Sequence, residues 1–431
     1  MRVLRMMVAF VAGIAAVAAV GNNGGGHQKG WQLNVQPMVV VGLTLAALVV
    51  TQAMLYFRRT PCKQSTTAAA SPVYCVLQKD DELERLAENG SQVYPMGAAI
   101  VTKTHGNATV LTYNAATKTY KVESDGDKNV VELPEKDIEV AEVAGVYVYP
   151  IKSCAGIRLD SAEITPKGVL HDRNWMFADE NGKFITQRRY HKMALIVPKL
   201  LPNFESPKSI LLTAKGMEPL EVPILREGAG KECDVRVWSS NMIAIDQGDK
   251  ASEWINTFLE DVRGDRKFRF FRIKDSFKRA TDPKYAPDFE TGFADGFPFL
   301  LTLESSLDEL NKSLDHSILM NRFRPNIVLK GIPPFADEKW NCLVVNGIRF
   351  RNVKPCARCN LPCVDQETGV SDPAHEPAKT LTRLRNGALL GFTDGKKFEN
   401  YFGTNLVAER TGQIKVGAQV KVLTLKKEIF A

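Results

Sequence analysis

The chain has 431 residues, of which 44% are hydrophobic and 24% charged, with a net charge of +7. These values exclude a disordered polypeptide, and the length exceeds one ordinary core, so two or three folded domains are expected. The charge suits an acidic partner or a membrane surface and makes no case for nucleic acid.

The first sixty residues stand apart. Arg2 and Arg5 precede an apolar run from Met6 to Val20, which is short for a membrane span and has the size of a signal-peptide core or signal anchor. After the polar stretch "NNGGGHQKG", Pro37 to Phe57 carries no charge. At about 1.5 Å per residue it covers roughly 30 Å, one hydrocarbon core. Arg58, Arg59 and Lys63 follow at once and place the large C-terminal part on the cytosolic side. Residues 1–60 are therefore expected to be a membrane anchor with its main span at 37–57. Residues 61–92 read as a linker around "STTAAASP" with a short helix in "DDELERLAENG", stopped by Gly90.

Residues 93–140 alternate in the strand manner, in "GAAIVTKT", "ATVLTYN", "KTYKVES" and "KNVVELPEKDIEV", separated by turns such as Asp125-Gly126-Asp127. The pattern predicts a small SH3- or Tudor-like barrel with no catalytic constellation. From Glu142 to about Ile273 short strands dominate, with a helix predicted over Asp249 to Leu259. A basic segment, "RGDRKFRFFRIKDSFKR", follows; Arg263, Arg266, Lys267, Arg269, Arg272, Lys274, Lys278 and Arg279 offer a docking face for an acidic protein, or a solvated strand interleaved with core phenylalanines. "DGFPFLLTLESSLDELNKSL" reads as a strand and a capped helix, and "GQIKVGAQVKVLTL" returns to strand. The reading is two β-rich barrels in series.

Eight cysteines in 431 residues are too sparse for a secreted disulfide scaffold. Three fall within "NVKPCARCNLPCVDQETG": Cys356, Cys359 and Cys363. The residues alone leave a disulfide, zinc or an iron–sulfur cluster open. Only one Cys-x-x-Cys pair is present and no second knuckle, which counts against zinc, and no clear fourth ligand exists for a cluster.

Six motifs in order carry a resemblance: "VYPIKSCAG", "HDRNWMF", "VRVWSSNMIAIDQGDKASEWINTFL", "FADGFPFLL", "RFRPNIVL" and "CARCNLPCVDQETG". From near Val143 to about Leu425 the chain resembles the MOSC family, and with the predicted anchor it is similar to the mitochondrial amidoxime reducing components. The resemblance implies a β-rich α+β fold, with a MOSC N-terminal β-barrel domain over 141–275 and a MOSC β-barrel domain over 276–431. The predicted barrel at 93–140 and the first apolar segment depart from that pattern.

The resemblance also implies the molybdenum cofactor (Mo-molybdopterin). Cys359, directly after Arg358, would be the metal ligand, with Arg358 keeping the local potential positive. Lys152, Ser153 and Arg173 would bind the phosphate end, Arg324 and Asn326 the pterin, and Asp295 would stand near the metal and handle protons. Each also has a plain reading: a solvated turn lysine, a structural Arg–Trp pair, an Arg-Pro strand entry, a turn aspartate. The implied reaction is reduction of N-hydroxylated compounds such as amidoximes and hydroxylamines. No Gly-x-Gly-x-x-Gly nucleotide module is visible, so electrons would come from a b-type cytochrome and its NADH-dependent flavin reductase. The implied location is the mitochondrial outer membrane, facing the cytosol, with the endoplasmic reticulum membrane as the alternative. A cofactor carrier or sulfur-transfer protein on the same fold is the competing reading; the chain carries no pyridoxal-dependent desulfurase domain. A membrane-tethered binding module using the small barrel is a third.

Overall fold

A computed structural model describes residues 94–426 of the chain. The expected anchor at 1–60 and the linker and helix at 61–92 lie outside these residues. Among the described residues no helix is long and apolar enough to cross a membrane.

The alternating segment after residue 93 forms four strands, β1 (Ala99–Thr102), β2 (Gly106–Asn114), β3 (Thr119–Ser124) and β4 (Val130–Pro134), paired as an antiparallel meander in that order. After the turn at Glu135–Asp137 the chain returns to β1: Thr102 bridges Ile138 in antiparallel fashion, and the amides of Lys103 and Glu139 donate to the carbonyls of Asp137 and Val101 at 2.9 and 2.7 Å. Ile100, Val110, Tyr120 and Val122 belong to the same core as Val143, Val146 and Phe350 from the following domain. The small unit thus shares its core with the domain that follows.

The next strands are β5 (Glu142–Val148), β6 (Ile157–Leu159), β7 (Ser161–Thr165), β8 (Gly168–Val169) and β9 (Trp175–Asp179). A three-stranded sheet follows from β10 (Val197–Leu201), β11 (Ser209–Thr213) and β12 (Leu220–Pro223). Strands β13 (Glu232–Val237), β14 (Ser240–Asp246) and β15 (Phe268–Ile273) join β9 in the order 13-14-15-9. Between β14 and β15 runs helix α1 (Asp249–Phe258), close to the predicted span. It buries Ala251, Trp254, Ile255 and Phe258, the i, i+3, i+4, i+7 stripe of an amphipathic helix.

Strands β16 (Arg279–Ala280) and β17 (Glu290–Thr291) form a short antiparallel pair. The C-terminal sheet has eight strands. Beyond β5 and β6 it uses β18 (Phe299–Leu303), β19 (Ile327–Lys330), β20 (Trp340–Val345), β21 (Ile348–Arg358), β22 (Asn400–Ala408) and β24 (Val420–Leu425). Their order is 24-20-21-22-18-19-5-6, and only β18 and β19 run parallel. The helix joining those two, α2 (Glu304–Asn311), starts at Leu303 without a side-chain cap.

The two β units are interleaved through the chain. β5 pairs with β19, so β5 and β6 complete an eight-stranded sheet built largely from residues beyond 299, while β7 and β8 take β23 (Gly412–Lys415) into their own three-stranded sheet. β5 has little polar face, with Val143, Val146 and Val148 fully buried, as suits a strand covered on both sides.

Candidate functional site

Where β5 ends, Tyr149 to Ser153 turn across the end of β9. The Tyr149 amide donates to Asp172 Oδ1 at 2.8 Å, and the Lys152 amide donates to the Trp175 carbonyl at 2.8 Å. On the other side, the ladder between β21 and β22 loses regular register between Pro355 and Ala357, flanking Cys356. Such irregularities re-aim side chains. Gly403 in β22 has φ +74°, and a Cβ there would stand 2.6 Å from the Leu301 carbonyl, so only glycine fits.

These elements enclose a cleft of about 330 Å³ lined by Lys152, Ser153, Arg173, Asp295, Arg324, Asn326, Arg358 and Cys359. The residues that the resemblance assigns to the cofactor therefore all line one cavity, although they are spread over two hundred positions. Cys356 and Lys354 line it too. A larger groove of about 940 Å³ near Asn346, Arg410 and Lys415 contains no thiol.

The three clustered cysteines are sorted by their surroundings. Cys359, just past β21, is exposed. Cys356 accepts a hydrogen bond from Arg358 Nη1 at 3.1 Å. Cys363 is buried, contacts the His375 carbonyl at 3.5 Å, and has its thiol pKa raised by burial. The guanidinium of Arg358 is thus placed on Cys356 and on the Phe323 carbonyl, 2.9 Å away. Among the described residues no three His, Cys, Asp or Glu side chains cluster to hold a metal. The cleft is lined by two thiols, of which Cys359 is the exposed one.

The basic residues divide by their partners. Arg173 Nη1 donates to both carboxylate oxygens of the buried Asp172, at 2.8 and 2.6 Å, and to Asn326 Oδ1 at 3.2 Å. Asn326 is 2% exposed and gives its amide to Asp172 and to the Tyr147 carbonyl. It braces Arg173 and Asp172 behind the cleft surface. The guanidiniums of Arg173 and Arg324 each stand 4.3 Å from the Tyr149 ring. Arg324 is 6% exposed, and its Nη1 and Nη2 find no hydrogen-bond partner. Burial, then the charge of Arg173, pushes its pKa down to about 10. A buried donor fork left without acceptors costs free energy that an anion in the cleft would recover.

Lys152 Nζ donates to Asp295 Oδ1 at 2.6 Å and to the Phe293 carbonyl at 2.9 Å. Burial lowers the pKa of this lysine, and Asp295 works against that shift. Asp295 sits in a depression. Surrounding protein raises its pKa, but Lys152 and the Trp238 indole N–H outweigh this and hold the carboxyl well below the usual range, while 64% of its side chain stays open. Arg279 fixes the loop beneath by donating to the carbonyls of Gly292, Ala294 and Asp295. Ser153, Arg173 and Arg324 all have left-handed φ, +65°, +49° and +57°. Non-glycine residues held this way cost about 1–3 kcal/mol each and concentrate at functional sites.

An anionic group with one soft ligand fits this set: the free guanidinium of Arg324, the Lys152 ammonium, and an exposed thiol at Cys359. Sequence reasoning passed over Tyr149, Asp172, Lys354 and Trp238. All but Lys354 stand inside quoted motifs, but neighbouring basic residues drew the reading away from them.

Within the proposed docking segment, three of the eight basic residues are held in ion pairs and Arg279 is turned onto backbone carbonyls. Arg269 binds Asp246 and Asp249, Arg272 is buried against Asp275, Lys274 pairs with Glu227 and Glu232, and Arg279 faces inward. Nearby carboxylates take up Arg269, Arg272 and Lys274, which a linear reading cannot see.

Comparison with known proteins gives the following. Residues 140–262 match the MOSC N-terminal beta barrel domain, and residues 288–421 match the MOSC domain. The chain is 31% identical over 294 residues to mitochondrial amidoxime reducing component 2 of Rattus norvegicus, covering 65% of this chain and 83% of that one. It is 29% identical over 298 residues to mitochondrial amidoxime-reducing component 1 of Homo sapiens, covering 66% and 84%. It is 28% identical to molybdenum cofactor sulfurase of Bos taurus over 261 residues, which covers 29% of that protein.

Proposed function

The chain belongs to the MOSC-domain proteins, with a MOSC N-terminal β-barrel domain followed by a MOSC domain, and is related to the mitochondrial amidoxime reducing components; from this premise we propose that it is a molybdenum-cofactor-linked oxidoreductase that reduces N-hydroxylated compounds. The observation that carries the proposal is the convergence, in one cleft, of the exposed Cys359 thiol and the buried, unpartnered guanidinium of Arg324.

In this reading Cys359 supplies the single protein sulfur to molybdenum. Arg324, Lys152, Ser153 and Arg173 hold the anionic and heterocyclic parts of the cofactor, with Asn326 bracing Arg173. Arg358 acts at one remove by fixing Cys356 and the Phe323 carbonyl. When bound, the cofactor supplies the two-electron change that converts R–NHOH, with two protons, to R–NH2 and water. Asp295, anionic and open to solvent, would accept a hydrogen bond from the substrate's N–OH and so orient it, while Lys152 holds the carboxylate in place.

The family relationship supports a separate electron donor, and we assign that role to a b-type cytochrome with its NADH-dependent flavin reductase. It also supports membrane association. We place the protein on the mitochondrial outer membrane with the catalytic part facing the cytosol.

The test is molybdenum and pterin analysis of protein made in a cofactor-competent host, followed by amidoxime reduction with NADH alone and with cytochrome and reductase added. Stoichiometric molybdenum and turnover only in the complete system support the reading. The similarity to a cofactor sulfurase favours sulfur transfer as the second reading; a persulfide on Cys359 without bound molybdenum would establish it.

A further inference from the structure

Trp238 occupies the two-residue turn between β13 and β14, where Val237 pairs with Ser240. Its φ is +53°, at the first turn position, where glycine is the favoured residue. The side chain is 49% exposed. A tryptophan kept for packing would be buried and relaxed; this one is neither. Its polar edge is fixed: Nε1–H donates to Asp295 Oδ1 at 3.0 Å. Its ring is flanked by Arg188, whose guanidinium carbon stands 4.5 Å from the centroid, and edge-on by Phe184 at 5.1 Å. Lys152 Nζ in turn lies 5.1 Å from the Phe184 ring. The turn therefore sets a half-open indole against the cleft's carboxylate, supported from behind by an arginine.

Resting on the reductase reading above, we propose that Trp238, backed by Arg188, is a stacking platform at the cleft mouth that selects N-hydroxylated substrates with a flat aromatic group. The indole hydrogen bond fixes the platform relative to Asp295, so a stacked ring delivers its N–OH toward that carboxylate. Arg188 beside the ring disfavours cationic substrates and the open carboxylate of Asp295 disfavours anionic ones, so the preferred class is neutral aryl amidoximes and aryl hydroxylamines.

The test compares wild type with Trp238→Gly and Trp238→Phe. Glycine removes the ring and accepts the left-handed turn, so its melting temperature should equal or exceed that of wild type. The ratio of kcat/KM for benzamidoxime to that for acetamidoxime should fall about tenfold in Trp238→Gly, the factor an aromatic stacking contact supplies. Trp238→Phe should keep most of that ratio. A second readout needs no turnover. The tryptophan fluorescence of wild type minus that of Trp238→Phe should be quenched on titration with benzamidoxime and unchanged by acetamidoxime. An unaltered ratio, a lower melting temperature for Trp238→Gly, or absence of Trp238-specific quenching would overturn the proposal. Turnover of neither compound by molybdenum-loaded wild type, with quenching intact, would instead overturn the reductase reading and leave the platform standing.

Discussion

Arg358 Nη1 donates to the thiol of Cys356 at 3.1 Å, two residues back along the same strand, and is not placed on the thiol that follows it. That geometry separates the three clustered cysteines by function. Cys359→Ser should abolish reductase activity without lowering the melting temperature, because an exposed side chain contributes little packing. Cys356→Ser should reduce activity partially through a displaced Arg358. Cys363→Ser should leave activity but cost about 1 kcal/mol of stability at its buried site. Activity assays and thermal melts of the three variants, with equal losses throughout, would refute the assignment.

Arg324 should show a trade between stability and binding. Its buried guanidinium has no partner at either terminal nitrogen. Arg324→Met keeps the volume and removes the charge, so the cofactor-free protein should gain about 1–4 kcal/mol. Molybdenum and pterin content should fall sharply. Denaturant melts of apo protein and metal analysis of purified protein check the two halves.

Lys152 depends on Asp295 for its charge. Burial lowers the lysine pKa and the carboxylate opposes that. In Asp295→Asn the opposition is gone, so the ammonium loses its proton at a lower pH than in wild type. Cofactor retention, measured after gel filtration across an alkaline series, should therefore fail at lower pH in the variant. Superimposable curves would contradict the coupling.

His171 adjoins the Asp172–Arg173 pair, and its φ is +66°. Burial, reinforced by Arg272 and Arg226, pushes its pKa down to about 4. The unfolded chain then binds the extra proton first, so stability falls as pH drops from about 6.5 to 4, by on the order of 3 kcal/mol. Asn tolerates left-handed backbone and does not titrate. Wild type should therefore lose stability relative to His171→Asn through that window, and parallel melting curves would count against it.

Arg269 should prove structural. It pairs with Asp246, whose side chain is 7% exposed, and with Asp249 at 2.9 Å. Arg269→Glu should lower the melting temperature through an unpaired buried carboxylate, on the order of 2–3 kcal/mol. Arg266→Glu and Lys267→Glu, at positions without such acid pairs, should melt like wild type. A cytochrome-specific defect in Arg269→Glu with unchanged melting would restore it as a docking residue.

The sequence by itself determined the β-rich character, a helix starting at Asp249 and eight of the residues that line the cleft. Strands and amphipathic helices write their period into the local pattern, and the motifs "YPIKSC", "HDRNW", "FADGF" and "RFRPN" keep their chemistry wherever the chain carries them. Tertiary structure alone decided who pairs with whom. β5 reads as a strand from its own residues, but its union with β19 depends on a partner some 180 positions away. Alternation in β1 to β4 marks one buried face, but not that this face shares a core with Val143, Val146 and Phe350. Arg269, Arg272 and Arg279 looked like an outward charge run, and neighbouring strands turned them into ion pairs and loop anchors. Asn326 kept its place at the cleft but became a brace for Arg173, because hydrogen-bond partners are fixed by distance in space and not along the chain.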